Sequence, residues 1–162
     1  MVEKYGKEKE ALYRKRCLLE PEKFKLAPGA IELLDFLKEN NIPRTIATMS
    51  EWDNVEFYIK EFHLEEWFDI EKIVYSDGTI PGKPAPDIFQ IAAEKINLQP
   101  SDCLVFEDAI AGINSASNAG IGKIIAVASL EPISFYQKMS NVNAIIKDFY
   151  EFDKNILLPV AV

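Results

Sequence analysis

The sequence predicts an α/β fold in which helices cover both faces of a parallel sheet. Short apolar runs rich in β-branched residues alternate with segments whose apolar residues recur at helical spacing. This alternation indicates right-handed strand–helix–strand units. Of the 162 residues, 48% are hydrophobic, which is enough for a core of one domain. Polar residues follow three successive predicted strands, which is typical of an α/β binding site.

The first half of the chain predicts three helices and a strand. Residues 1–16 carry many charges around a few apolar residues, as on a helix with one buried stripe. Residues 28–43 predict a helix that opens at a Pro-Gly pair and closes at Asn-Asn. A strand at residues 45–48 follows. The spacing of Ser50 and Asp53 then fits a capping box at the start of the third helix.

The second half predicts two further helices and four strands. Its last long helix should stop at an Asn-Ala-Gly sequence, which is a good C-terminal signal. The predicted helices are residues 88–96 and 109–118, and the predicted strands are residues 73–75, 104–106, 123–127 and 144–146.

Charge and composition exclude several classes of function. The formal charge is −8 and no long basic stretch follows the opening helix, which disfavours nucleic-acid binding. No window reaches the roughly 18 apolar residues of a membrane span and no secretory signal opens the chain, so we expect a soluble, cytoplasmic protein without membrane contacts. Cys17 and Cys103 predict no disulfide.

Two adjacent carboxylates, Glu107 and Asp108, stand where a predicted strand gives way to a helix. Ligands of open α/β sheets bind beyond the carboxyl ends of the strands, and Mg²⁺ prefers carboxylate oxygens. Taken alone, however, the pair fits equally well with Asp108 capping the helix and Glu107 favouring its positive end.

The residues that follow two other strands favour a metal site over a helix cap. Thr48 and Ser50 end one strand in hydroxyls, and Lys83 lies on a loop, between glycine and proline, after the next. If the strands share one parallel sheet, these groups converge on one crevice. Hydroxyls and a lysine suit a phosphoryl group, and the carboxylate pair suits the Mg²⁺ that neutralises it. An acidic chain needs such a metal to attract an anionic substrate.

Over residues 25–152 the motifs resemble those of the haloacid dehalogenase (HAD) superfamily, and within it the phosphatases and phosphomutases similar to β-phosphoglucomutase. Four segments in chain order carry the resemblance: residues 25–34, Thr48 with Ser50, Lys83 in Gly-Lys-Pro-Ala-Pro-Asp, and Glu107 with Asp108.

The resemblance implies a Rossmann-like core and catalytic roles for Thr48 and Lys83. It also implies phosphate binding by Thr48, Ser50 and Lys83, and a Mg²⁺ ion held by Asp108 and Glu107. The implied substrate is a small phosphorylated metabolite such as a sugar phosphate.

The first motif of that family is missing from this sequence. In the family, a strand near the N-terminus ends in Asp-x-Asp, whose first aspartate attacks phosphorus and whose second is the general acid/base. Here residues 1–16 instead resemble the last helix of the family's mobile cap. We therefore expect residues 1–24 to be a remnant of a helical cap and residues 25–162 to be a HAD-like core.

One segment imitates the missing motif. Asp77-Gly78-Thr79 follows an apolar strand, but Tyr75 occupies the position of the nucleophile. A tyrosine there cannot form an acyl-phosphate, so the segment is interpreted as a turn.

The missing strand would lie between the strands that end at Thr48 and at Asp108, leaving two unpaired edges that are costly to bury. The two strands could pair directly, a second polypeptide could supply the strand, as in a homo-oligomer or strand-swapped dimer, or residues 156–162 could insert. Pro159 makes the last option the least favoured. An empty gap between these two strands would contradict all three options.

Three functions stay open at this stage. The first is the core of a Mg²⁺-dependent sugar-phosphate phosphatase or phosphomutase, with negligible turnover because its nucleophile is missing. The second is a non-catalytic phosphate- or metal-binding module, completed by a partner. A haloacid dehalogenase is the least favoured, because such enzymes need no metal and the carboxylate pair would be unexplained.

Overall fold

Helices and parallel strands alternate along the chain in the computed structural model, which describes residues 2–158. The predicted fold class is thereby confirmed. Its α-helices are α1 (Val2–Leu19), α2 (Ala30–Glu39), α3 (Trp52–Phe62), α4 (Asp87–Lys95), α5 (Ile110–Asn118) and α6 (Ile133–Tyr136). Its strands are β1 (Ala47–Glu51), β2 (Val74–Ser76), β3 (Leu104–Glu107), β4 (Lys123–Val127) and β5 (Ala144–Ile146).

The strands form two parallel sheets rather than the single sheet that the sequence predicts. β1 pairs with β2, and a second sheet has the order β3-β4-β5. The two sheets run in the same direction, because Lys83, in the loop after β2, contacts Glu107 at the carboxyl end of β3. Polar residues that follow β2 and β3 therefore meet at one edge, as expected.

Direct pairing of β1 with β3 is wrong, because among the described strands β1 pairs with β2 and β3 with β4. A cavity of about 760 Å³ is lined by residues 44–47, which lead into β1, and by residues 101–107, which include β3. The C-terminal run does not insert within the described residues, because Lys154–Leu157 is a short 3-10 helix; residues 159–162 lie outside the described part of the chain. Contrary to our expectation, an open gap does not exclude a strand from a second polypeptide, because an unpartnered chain would show it as well.

Side chains of the second sheet alternate between two apolar layers. Ile124 and Ala126 of β4 pack with α4, α5 and Tyr136 on one face. Ile125 and Val127 pack with Phe106 and the C-terminal aromatic residues on the other. This alternation follows from the two-residue repeat of a strand, and helices cover both faces as parallel sheets require.

Local signals place most elements correctly. The Pro-Gly pair precedes α2, where Gly29 adopts the left-handed φ of 77° at the N-cap. The capping box is wrong: Ser50 belongs to β1, and Glu51 is the N-cap of α3 without a side-chain cap. The chain stays extended to Glu51, three residues beyond the predicted end of the strand at Thr48, so the Ser50 hydroxyl does not cap α3.

The opening helix packs on α3 through polar contacts. Arg14 Nη1 donates to Asn54 Oδ1 at 2.6 Å, and Asn54 Nδ2 donates to Glu10 Oε2 at 2.7 Å. Cys17 and Cys103 are both free thiols, as predicted.

Within residues 2–158, no helix combines the length and apolar character that a bilayer crossing requires.

Candidate functional site

The loop after β2 begins with the turn that the sequence predicts. The Asp77 carboxylate accepts hydrogen bonds from the backbone N–H of Thr79 at 2.8 Å and from its hydroxyl at 2.6 Å. Gly78 between them has a left-handed φ of 85°. These hydrogen bonds hold the pKa of Asp77 below its usual value. The turn interpretation is thus confirmed, and Asp77 is committed to its own loop.

Lys83 turns inward from this loop and forms an ion pair with Glu107. The two side chains are only 16% and 10% exposed. The Lys83 ammonium also lies 4.9 Å from the ring centre of Phe89, at a cation–π distance. Lys83 is therefore a fixed, nearly buried charge, unlike a solvated surface lysine.

Helix α5 holds the backbone that follows Lys83. Asn118 Nδ2 donates to the Pro84 carbonyl at 2.9 Å, and the buried Ser115 hydroxyl donates to the Ala85 carbonyl at 2.5 Å. Because α5 directly follows the carboxylate pair in the chain, these bonds fix the lysine loop relative to Glu107. The position of the ammonium is therefore set by backbone contacts as well as by charge.

Asp108 does not cap α5. The N-cap is Ala109, which has no side-chain cap, so the capping role of Asp108 is wrong. Glu107 does lie at the start of the helix, where its Oε2 accepts a hydrogen bond from the backbone N–H of Ala109 at 3.5 Å. The Ser129 hydroxyl lies 3.3 Å from Asp108 Oδ2, at hydrogen-bond distance, and the Tyr136 hydroxyl donates to the Asp108 backbone carbonyl at 2.6 Å. Burial raises the pKa of Tyr136, which keeps its phenol protonated as a donor.

Thr48 and Ser50 lie near the carboxyl end of β1 and contact each other. The backbone N–H of Ser50 donates to Thr48 Oγ1 at 3.1 Å. Among the hydrogen bonds of residues 2–158, none joins these two residues to Lys83, Glu107 or Asp108. The structure thus brings the third and fourth motifs into contact and leaves the second on the other sheet.

The chemistry of the donors fits Mg²⁺ at Asp108. Mg²⁺ is commonly bound through one or two carboxylates and keeps several waters. Of the two carboxylates, Glu107 is paired with Lys83, whereas Asp108 forms no ion pair with a lysine or arginine of the described residues. Among the side chains that the structure describes, no three acidic, histidine or cysteine residues are close enough to form a metal cage.

Sequence reasoning missed two residues that reach Asp108. Ser129 follows the carboxyl end of β4, so the rule that selected Thr48 and Lys83 could have found it. Tyr136 lies on the short helix α6, where no local signal distinguishes it from a packing aromatic residue.

Gly112 provides the space that Glu107 occupies. A methyl group at position 112 would overlap the Glu107 carboxylate. We expect Gly112→Ala to displace Glu107 from Lys83 and to lower the free energy of unfolding by about 1–3 kcal/mol, measured by urea denaturation. Gly6→Ala on α1 is the control, because nothing lies near its added methyl and a helical alanine should stabilise slightly. If the two substitutions change the free energy of unfolding equally, Gly112 does not lie against the Glu107 carboxylate as the structure shows.

Comparison with known proteins gives matches over most of the chain. A model of the haloacid dehalogenase-like hydrolases, described as a hydrolase family, matches residues 1–120. The chain is 42% identical over 110 residues to a bifunctional riboflavin kinase/FMN phosphatase of Arabidopsis thaliana, with 67% of this chain and 28% of that protein covered. It is 34% identical over 100 residues to a phosphorylated carbohydrates phosphatase of Thermotoga maritima, with 62% of this chain and 45% of that protein covered. The chain thus spans less than half of these relatives.

Solved structures share the fold. A HAD hydrolase of family IA, variant 3, from Entamoeba histolytica superimposes with a TM-score of 0.89 and 45% identity, covering 96% of this chain and 68% of that one. A β-phosphoglucomutase-type protein from Thermotoga maritima gives a TM-score of 0.65 and 29% identity, covering 80% of this chain and 57% of that one. The arrangement of helices and strands seen here is therefore shared by longer chains.

Proposed function

Because the chain belongs to the haloacid dehalogenase-like hydrolases, we propose that it is the phosphate- and Mg²⁺-binding core of a phosphatase or phosphomutase that acts on small phosphorylated metabolites. The contact between Lys83 and Glu107 carries the proposal, because it places the third and fourth motifs at one edge of the fold. Sugar phosphates are the first substrates to test, since one relative is a phosphorylated carbohydrates phosphatase and another a fructose-1-phosphate phosphatase.

In this proposal, each group at the strand ends has a separate task. Lys83 supplies a fixed positive charge to the phosphoryl oxygens, and Glu107 orients that ammonium. Thr48 and Ser50 donate hydroxyl or backbone hydrogen bonds to the same group. Asp108 is the direct metal ligand, with Glu107 beside it, and Ser129 and Tyr136 hold Asp108 in place.

Bound Mg²⁺ would offset the negative charge of the phosphoryl oxygens. Positioning and electrostatic stabilisation account for most of the catalysis in phosphoryl transfer. The residues of this chain supply that part. The attacking carboxylate is not among them, so we propose that the chain by itself binds a phosphate ester without turning it over.

Binding of inorganic phosphate, measured by titration calorimetry, tests this function. We expect Mg²⁺ to strengthen binding and Lys83→Met to weaken it about tenfold, which corresponds to about 1.4 kcal/mol. Asp108→Asn should remove the effect of Mg²⁺ while leaving the metal-free affinity nearly unchanged.

The matched control is Lys72→Met, which removes a surface lysine 3.6 Å from Asp69. Circular dichroism establishes that each variant is folded. If Lys83→Met and Lys72→Met bind phosphate equally well, Lys83 is not a phosphate ligand. If phosphate binds without any response to Mg²⁺, the proposed metal site is wrong.

A further inference from the structure

A groove of about 670 Å³ lies between the end of α1, helix α2 and the end of α3. Residues 24–29, in the segment that joins α1 to α2, form one of its walls, and we call it the linker groove. No residue of the proposed phosphate site lines it. Its volume falls in the range of roughly 300–1,000 Å³ that is typical of small-molecule sites. The linker groove is therefore a second place where this chain has room for a ligand.

Aromatic rings form the apolar walls of the linker groove, and contacts with the rest of the protein hold them in place. The rings are those of Phe24, Phe62, Trp67 and Tyr150. Phe24 packs against Phe62 with the ring centres 4.5 Å apart. Trp67 is buried, and its Nε1 donates to Asp35 Oδ1 at 2.7 Å. Because these walls are already ordered, a ligand would not have to immobilise them on binding.

Carboxylates predominate among the charged groups of the linker groove. Three glutamates line it, Glu32, Glu61 and Glu66, together with the ammonium of Lys25 and the imidazole of His63. Among the ion pairs of the described residues, none includes one of these three glutamates. Their negative charge is therefore available to a ligand.

The hydrogen bond between Tyr150 and Glu32 joins the two kinds of lining. The Tyr150 hydroxyl donates to Glu32 Oε1 at 2.8 Å, which orients the carboxylate against an aromatic ring. Carboxylates attract a cation by charge, and the face of an aromatic ring attracts it through the ring quadrupole. Both kinds of lining therefore favour a positively charged ligand, and an anion would be repelled.

The spread of the carboxylates indicates an organic cation rather than a bare metal ion. Within the described part of the chain, acidic, histidine and cysteine side chains form no group of three that could hold a metal. A molecule with an apolar body can contact the rings while its charged end reaches a glutamate. A neutral apolar molecule would leave the carboxylates unused.

We propose that the linker groove binds a small organic cation, an ammonium group carried on an aromatic or aliphatic body. The glutamates bind the ammonium group, and the body packs against the rings. The proposal uses neither Lys83 nor Asp108, so it is independent of the proposed phosphate chemistry.

Three compounds of similar size and different charge test this proposal. They are phenethylammonium, the neutral phenethyl alcohol and the anionic 3-phenylpropionate. Binding is followed through the fluorescence of Trp67 in a Trp52→Phe background, because the chain has two tryptophans and only Trp67 lines the groove. We expect phenethylammonium to bind with a Kd of about 1 mM, as suits a ligand of this size. The other two compounds should bind at least fivefold more weakly.

Glutamine variants locate the binding site, because they keep the shape of the groove and remove its charge. Glu61→Gln and Glu66→Gln should each weaken phenethylammonium binding about threefold, and the double variant about tenfold. Glu56→Gln is the matched control, since Glu56 is an exposed glutamate of α3 outside the groove. This control separates recognition in the groove from general attraction to a chain with a formal charge of −8. Circular dichroism establishes that each variant is folded.

Four results would overturn the proposal. One is equal binding of the three compounds, and another is no binding of phenethylammonium at about 10 mM. A third is a double variant that binds phenethylammonium as well as Glu56→Gln does. The last is tighter binding of phenethyl alcohol than of phenethylammonium, which would identify a site for neutral apolar molecules.

Discussion

Without a nucleophilic aspartate, the chain is expected to hydrolyse p-nitrophenyl phosphate no faster than its Asp108→Asn variant, even in excess Mg²⁺. In the mechanism that the family resemblance implies, an aspartate attacks phosphorus. No Asp-x-Asp sequence occurs in this chain, and Tyr75 stands where the local imitation of that motif would need the nucleophile. Losing the nucleophile of a catalytic triad lowers kcat by a factor on the order of 10⁶.

The measurement is a steady-state assay with and without Mg²⁺, with a metal-dependent phosphatase as positive control. Asp108→Asn is the control for contaminating phosphatase, because a contaminant would give the same rate in both preparations. Mg²⁺-dependent activity that disappears in Asp108→Asn would show that another carboxylate of this chain replaces the first motif. The interpretation of the chain as catalytically incomplete would then be wrong.

A second form of this assay adds a synthetic peptide that consists of an apolar strand ending in Asp-x-Asp, the motif that the chain lacks. If the site at the strand ends is otherwise intact, adding this peptide should restore Mg²⁺-dependent hydrolysis, and Lys83→Met should suppress the restored rate. If the peptide binds and no hydrolysis appears, the chain is a binding module rather than the core of an enzyme. This comparison separates the two main functions because both predict an inactive chain when no peptide is present.

Breaking the Lys83–Glu107 pair should have the largest effect on stability among the variants considered. The two side chains are nearly buried, so Lys83→Met leaves an uncompensated carboxylate and Glu107→Gln leaves an uncompensated ammonium. We expect each single substitution to lower the free energy of unfolding by about 3 kcal/mol. The double variant should lose less than the sum of the two, because neither charge is then left alone.

Urea denaturation of the four proteins completes this double-mutant cycle. Arg16→Met is the matched control, because Arg16 Nε lies 3.2 Å from Glu20 Oε1 at the end of α1 and the arginine is 76% exposed. Such an exposed pair contributes roughly 0.5 kcal/mol or less. If Lys83→Met costs no more than Arg16→Met, the Lys83–Glu107 contact does not hold the lysine loop to β3.

The sequence by itself determined the fold class and most elements. Helical spacing and stop signals located α2, α4 and α5, and the short apolar runs located β4 and β5 at their observed residues. The four motifs also identified the family, which the family comparison confirms. These features depend on residues close together in the chain, so composition and spacing specify them.

Only the tertiary structure decided how these elements meet. It divided the strands into two sheets and paired Lys83 with Glu107. It also showed that Asp108 does not cap the helix and is instead contacted by Ser129 and Tyr136, which lie 21 and 28 residues further along the chain. A local pattern shows that Asp108 follows a strand, but which distant donor reaches it depends on how the sheet and helices pack. Long-range packing also kept β1 and β3 unpaired, because strand pairing depends on which edges face each other and not on the apolar runs that form the strands.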